Sequence, residues 1–139
     1  MNNPTFEQVA VRADVVQAME AHALEVRPDE CCGLLAGDGD VISSVYRLRN
    51  EAYSPRTKYF AAPEDLLAAM KTIRQRGQTM MGIYHSHPES PAYPSKSDVE
   101  LAFYSDSVYF ILSLAAGVEI RAFRIANQEI TSVEIVVAG

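Results

Sequence analysis

The run Thr79-Met-Met-Gly-Ile-Tyr-His85-Ser-His87-Pro88, continued by Glu-Ser-Pro91-Ala-Tyr-Pro94-Ser95-Lys-Ser-Asp98, decides how this chain is read. Thr79 to His87 reads as a β-strand. His85 and His87 are two residues apart, so both imidazoles point to one face of it. Met81 and Ile83 are expected to continue that face inward as core. Asp98 follows eleven residues after His87, with Ser95 three before it. Two histidines and one carboxylate match a hydrolytic zinc site, with three protein ligands and one position open for water. Pro88, Pro91 and Pro94 stiffen the connection, because each fixes φ and narrows the conformations open to the loop. Ser95-x-x-Asp98 has a second reading as a helix-capping box with Asp98 as its N3 acid. On its own, the histidine pair also reads as a hydrogen-bonded surface pair. The full set favours a metal.

Upstream, residues 12–26 read as a helix with Val15, Met19, His22 and Val26 on one face. Pro28 ends it. Cys31 to Ala36 and Val41 to Leu48 read as a hairpin about the turn Gly37-Asp-Gly-Asp40. Asn50 to Lys58 reads as a loop and Tyr59 to Ala61 as a short strand. A second helix opens at Pro63, with Leu66, Leu67, Met70 and Ile73 as its apolar stripe and Gly77 as its stop. Downstream, Ser95 to Tyr104 reads as a short helix. Val108–Leu114, Val118–Ile125 and Glu129–Val137 read as strands. Those last three are linked too tightly for parallel crossovers. The expected fold class is α/β of the α+β kind, a mixed and mostly antiparallel sheet flanked by helices.

The 139 residues suit a single domain, here taken as 1–139. Twelve Lys and Arg against eighteen Asp and Glu give a net charge of −6. An acidic chain without a basic run argues against nucleic acid and against an anionic membrane as partner. No stretch of ~18 apolar residues offers a membrane span. Met1 to Gln8 has neither the basic start nor the apolar block of a secretory signal. The two cysteines, Cys31 and Cys32, are adjacent and are read as reduced, buried strand residues in a cytoplasmic protein. His22 is read as a structural histidine. Tyr53, Tyr84 and Tyr93 are candidates to line a groove.

Two motifs resemble the JAMM (MPN+, Mov34/PAD-1) metalloproteases, small stand-alone bacterial members in particular. One is Pro28-x-Glu30-x-Cys32-Gly33-Leu34-Leu35-x-Gly37. The other is Gly82-Ile-Tyr-His85-Ser-His87-Pro88 with Pro94-Ser95-x-x-Asp98, in the family's spacing of His-x-His, seven residues, Ser, two residues, Asp. The resemblance implies the family's cytidine-deaminase-like core. It implies one Zn2+ per chain on His85, His87 and Asp98, with a bound water as fourth ligand. It implies Glu30 as general base and acid, and Ser95 as hydrogen-bond donor to the oxyanion. It also implies hydrolysis after the C-terminal glycine of a ubiquitin-like or sulfur-carrier protein, whose tail is the expected partner. Strand addition near Glu30 and the 50–58 loop is the expected mode for that tail, with its slender Gly-Gly end in a narrow channel. Competing readings are a non-catalytic MPN scaffold and a metallopeptidase processing a phage-tail or cell-wall peptide. A small-molecule zinc deaminase would want a Pro-Cys-x-x-Cys pair, which the chain lacks.

Overall fold

The structure, a computed structural model, describes residues 7–139. The reading of the first eight residues as no signal therefore falls mostly outside the described part. The element order is β1 (Gln8–Arg12), α1 (Ala13–Val26), β2 (Cys32–Gly37), β3 (Val41–Leu48), α2 (Pro63–Gln75), β4 (Thr79–His87), α3 (Lys96–Glu100), β5 (Val108–Ser113), β6 (Glu119–Ala126) and β7 (Glu129–Ala138).

The strands form one mixed sheet in the order β1-β3-β2-β4-β5-β6-β7, closed into a barrel by β1 against β7. The pairs β2–β3, β2–β4, β5–β6 and β6–β7 are antiparallel, while β1–β3, β1–β7 and β4–β5 are parallel. This is the expected mixed, mostly antiparallel sheet. Closure was not expected, because β1 is a five-residue strand whose main partner lies at the other end of the chain.

Two apolar clusters hold the helices to opposite faces. One gathers Val15, Met19 and Ala23 of α1 with Leu35, Tyr84, Phe110 and Leu112. The other gathers Ala69 and Ile73 of α2 with Leu34, Ile83, Ile111 and Phe123. Alternation along the strand divides the two thiols between them, Cys31 in the first and Cys32 in the second. Both are free and buried. His22 is buried on α1, with Nδ1 2.7 Å from the Tyr84 hydroxyl. Burial first, then the nearby Arg47 cation, pushes its pKa down to about 4, so it is neutral as a structural histidine should be.

Several local expectations are corrected. Leu67 is exposed; the stripe of α2 is Ala69 and Ile73, with Leu66 and Met70 half-buried. Tyr59–Ala61 makes only a single bridge, Ala61 to Asn50. Helix α3 stops at Glu100, four residues before the expected end. Met81 does not share the histidine face. The β2–β4 register slips between Leu35 and Ala36, leaving Met81 as the extra residue of a bulge. Ile83 therefore packs on the α2 side and Met81 on the α1 side.

Candidate metal centre

Four segments meet at the end of β4. The antiparallel register sets Cys32 against His85. It continues one residue further, where Ser86 N–H donates to the Cys31 carbonyl at 3.1 Å and Cys31 N–H to Ser86 Oγ at 2.8 Å. Two residues on, the same register brings Glu30 opposite His87, so pairing closes a gap of fifty-seven residues in sequence. On the other side, the proline loop turns the chain back. Its Pro91 carbonyl lies 2.8 Å from His87 Nδ1, and its Ser90 carbonyl accepts from Ser113 Oγ at 2.6 Å. Both bonds fix where α3 begins.

At that point the two readings of Ser95 and Asp98 prove compatible. Ser95 caps α3: Asp98 N–H donates to Ser95 Oγ at 3.1 Å and Ser95 N–H to Asp98 Oδ2 at 2.9 Å, a complete capping box. The same Oδ2 lies 3.1 Å from His85 Nε2 and 3.0 Å from His87 Nε2, and the two nitrogens are 3.1 Å apart. The box therefore orients the carboxylate toward the histidines.

The donor set of this triangle fits a cation. A carbonyl only accepts, so His87 Nδ1 carries the proton donated to Pro91. A neutral His87 then turns the lone pair of Nε2 toward a carboxylate oxygen. Either a second proton on the ring or a cation between the atoms resolves that opposition. Sides of 3.0–3.1 Å are near the roughly 3.3 Å edge of a tetrahedron with bonds of about 2.0–2.1 Å. Burial alone would raise the Asp98 pKa, but the bonds from His85, His87 and Ser95 N–H hold it well below the ordinary carboxylate range. Burial opposes charge on His87 too, yet Asp98 and the Pro91 carbonyl raise its pKa. At the wholly buried His85, burial prevails and lowers it.

Glu30 is 4% exposed. It, His85 and His87 each present one ligand atom within 4.8 Å of the others, a buried group able to bind a metal. Asp98 stands closer to both histidines, so the tighter triad is His85, His87 and Asp98, with Glu30 beside it. Among the described residues its Oε1 has no hydrogen-bond partner, nor has His85 Nδ1. Burial is the chief cause that pushes the Glu30 carboxyl up to about 8; the His87 charge opposes this and Asp98 adds to it. Burial also raises Cys31 to about 11 and Cys32 to about 12, so neither thiol is a ready soft ligand.

A cavity of about 650 Å³ opens on this site at Asp98. It runs between the 50–61 loop and the 97–104 segment, walled by Leu34, Tyr53, Phe60, Leu66, Leu101 and Tyr109. Tyr53 is thus a groove residue, whereas Tyr84 is fully buried against His22 and Tyr93 packs edge-on to Phe123. The lining of the groove is mostly apolar. Strand addition beside the ligands is not available, because β2 and β4 are each paired on both sides there.

Two residues near the site carried no sequence signal. Tyr59 stacks on His85, with centroids 4.5 Å apart and planes at 25°. Asn50 ties the 50–61 loop to the backbone of Glu30. Both contacts depend on the path of the loop, which spacing does not encode.

The family of prokaryotic homologues of the JAB domain matches residues 12–126. A desampylase of Haloferax volcanii is 36% identical over 115 residues, covering 78% of this chain and 83% of that protein. The CysO-cysteine peptidase of Mycobacterium tuberculosis is 35% identical over 131 residues, covering 91% and 89%. A protein of Desulfitobacterium hafniense solved in solution superposes with a TM-score of 0.85 at 36% identity, covering 94% and 93%.

Proposed function

The chain belongs to the family of prokaryotic homologues of the JAB domain, and from that premise we propose a zinc-dependent peptidase. It hydrolyses the amide bond after the C-terminal glycine of a ubiquitin-like or sulfur-carrier protein. The carrying observation is the triangle of His85, His87 and Asp98 with the unpartnered, buried Glu30 carboxyl beside it. The names of the two relatives, a desampylase and a CysO-cysteine peptidase, support the substrate class. The whole chain acts as one such domain. Two buried free thiols suit a reducing compartment, so we place the enzyme in the cytoplasm.

In this reading His85 Nε2, His87 Nε2 and Asp98 Oδ2 would hold the zinc. When bound, zinc would supply polarisation of the scissile carbonyl and a water pKa lowered to ~7. Glu30 takes the proton of the attacking water and returns it to the leaving amine. Burial raises the Glu30 carboxyl in the metal-free protein, and a divalent cation beside it would favour the charged form that accepts the proton. Ser95 Oγ accepts from Asp98 N–H, which leaves the hydroxyl hydrogen free to donate to the oxyanion. The apolar groove receives the substrate tail upstream or downstream of the cut bond. The five residues kept together argue for a working enzyme over a scaffold.

The test is incubation with sulfur-carrier fusions, read by mass spectrometry with and without chelator. Cleavage after the terminal glycine, abolished by chelator and by Glu30→Gln, is expected. Cleavage that survives metal removal rejects the reading.

A further inference from the structure

The two histidines of the triad are oriented by different means. His87 follows the usual device, with the ring nitrogen away from the triad held by a carbonyl, Pro91 O at 2.8 Å. His85 has no counterpart. Among the described residues its buried Nδ1 has no partner, so no hydrogen bond on the side away from the triad opposes rotation of the ring about its Cβ–Cγ bond. What lies against the ring is the face of Tyr59, at 4.5 Å and 25°. The offset stack covers one side of the imidazole, and the other edge faces His87 and Asp98.

Tyr59 is itself held. It sits in the 50–61 loop, whose course is set by the side chain of Asn50. Asn50 Nδ2 donates to the Glu30 carbonyl at 3.1 Å and the Lys58 carbonyl at 2.9 Å. Its Oδ1 accepts from Ala52 N–H at 2.9 Å and Phe60 N–H at 3.0 Å. Those four bonds use both hydrogens and both lone pairs of the amide. Glu30 N–H adds a bond to the Pro55 carbonyl at 2.7 Å. The loop is thereby fastened to the residue that carries the acid, and its two sides are fixed around Tyr59.

We propose that Tyr59 is a positioning residue for His85, its ring face replacing the missing hydrogen bond, and that Asn50 clamps the loop that presents it. The inference rests on the reading of His85 as a metal ligand. It concerns how that ligand is aimed and makes no demand on which substrate is cut.

The experiment measures Zn2+ affinity of the metal-stripped protein by chelator competition, and the visible spectrum of the Co2+ form. Tyr59→Phe keeps the ring face and is expected to hold the affinity within about twofold and leave the spectrum unchanged. Tyr59→Leu removes the face and is expected to lower affinity about 10–100-fold, the usual loss when an outer partner of a ligand is removed, with altered Co2+ bands. A folded Tyr59→Leu protein with parental affinity and spectrum overturns the proposal. So does a tenfold loss in Tyr59→Phe, which decides the matter even if the Leu variant does not fold, because the hydroxyl would then be the group that matters. His85→Ala separates the two levels. If it keeps parental affinity, the ligand reading falls and the inference with it. If it loses affinity while Tyr59→Leu does not, the inference alone falls.

Discussion

Glu30 shows at the scale of one residue how a site trades stability for reactivity. Unfolded, its carboxyl titrates near 4.5; folded and without metal, near 8. Between those values the folded form holds a proton that the unfolded form has released. Stability therefore falls as pH rises from about 4.5 to about 8, by on the order of a few kcal/mol. Glu30→Gln removes that penalty. The metal-free variant should melt higher than the parent at pH 9 and match it near pH 4, while hydrolysis is lost and zinc is retained. Thermal melts of the two chelated proteins across pH check the first part, and metal analysis the second. Ser95 offers a second separation, between its roles as cap and as donor. Ser95→Gly should cost only a few tenths of a kcal/mol and Ser95→Ala about 1 kcal/mol. Both should slow turnover about 10²–10³-fold. Turnover kept in the glycine variant would leave the cap as the only role of Ser95.

At the scale of elements, β2 and β4 carry the site, and their contact is unusually exacting. Gly33 faces Tyr84 across the pair, and a Cβ on Gly33 would collide with the Tyr84 ring. That ring is wholly buried and its hydroxyl meets His22 on α1. Gly33→Ala should cost about 1–3 kcal/mol through forced displacement of the ring, measured as a lowered denaturant midpoint with an unchanged slope. The residues that build this contact were also the easiest to read. The bounds of β3 and β4 follow from the sequence pattern alone, since hydrophobic runs there end at strong turn signals. The spacing from His85 to Asp98 is likewise local and places three members of the triad. Glu30 needed the family resemblance, because only the register of β2 on β4 brings it near. Met81 lies on the opposite face from the one that period-two alternation predicts, because a bulge leaves no mark in that pattern. The early end of α3 was hidden for a different reason. Leu101, Phe103 and Tyr104 look like a helix stripe but wall or border the groove instead, exposed to solvent. Tyr59 and Asn50 act through a loop whose path depends on tertiary hydrogen bonds.

At the scale of the whole molecule, side chains of β4 and α3 meet an acid that lies just before β2, so a zinc ion held by them, as proposed, would bind the folded arrangement and little else. Saturation at about 100 times the dissociation constant should add about 2.7 kcal/mol, or on the order of 10 °C in Tm for a chain this size. Scanning calorimetry with zinc and with chelator measures it, and equal melting temperatures would reject a tight site. Closure of the barrel has a further consequence, in time rather than energy. Gln8 of β1 bonds to Glu134 of β7, 126 residues away. Synthesis proceeds at roughly 5–20 residues per second, so the first strand to leave the ribosome waits several seconds for the partner that seals it. During that interval β2, β3, β4 and the residues of the site can already come together, whereas the pairing of β1 with β7 must wait for β7.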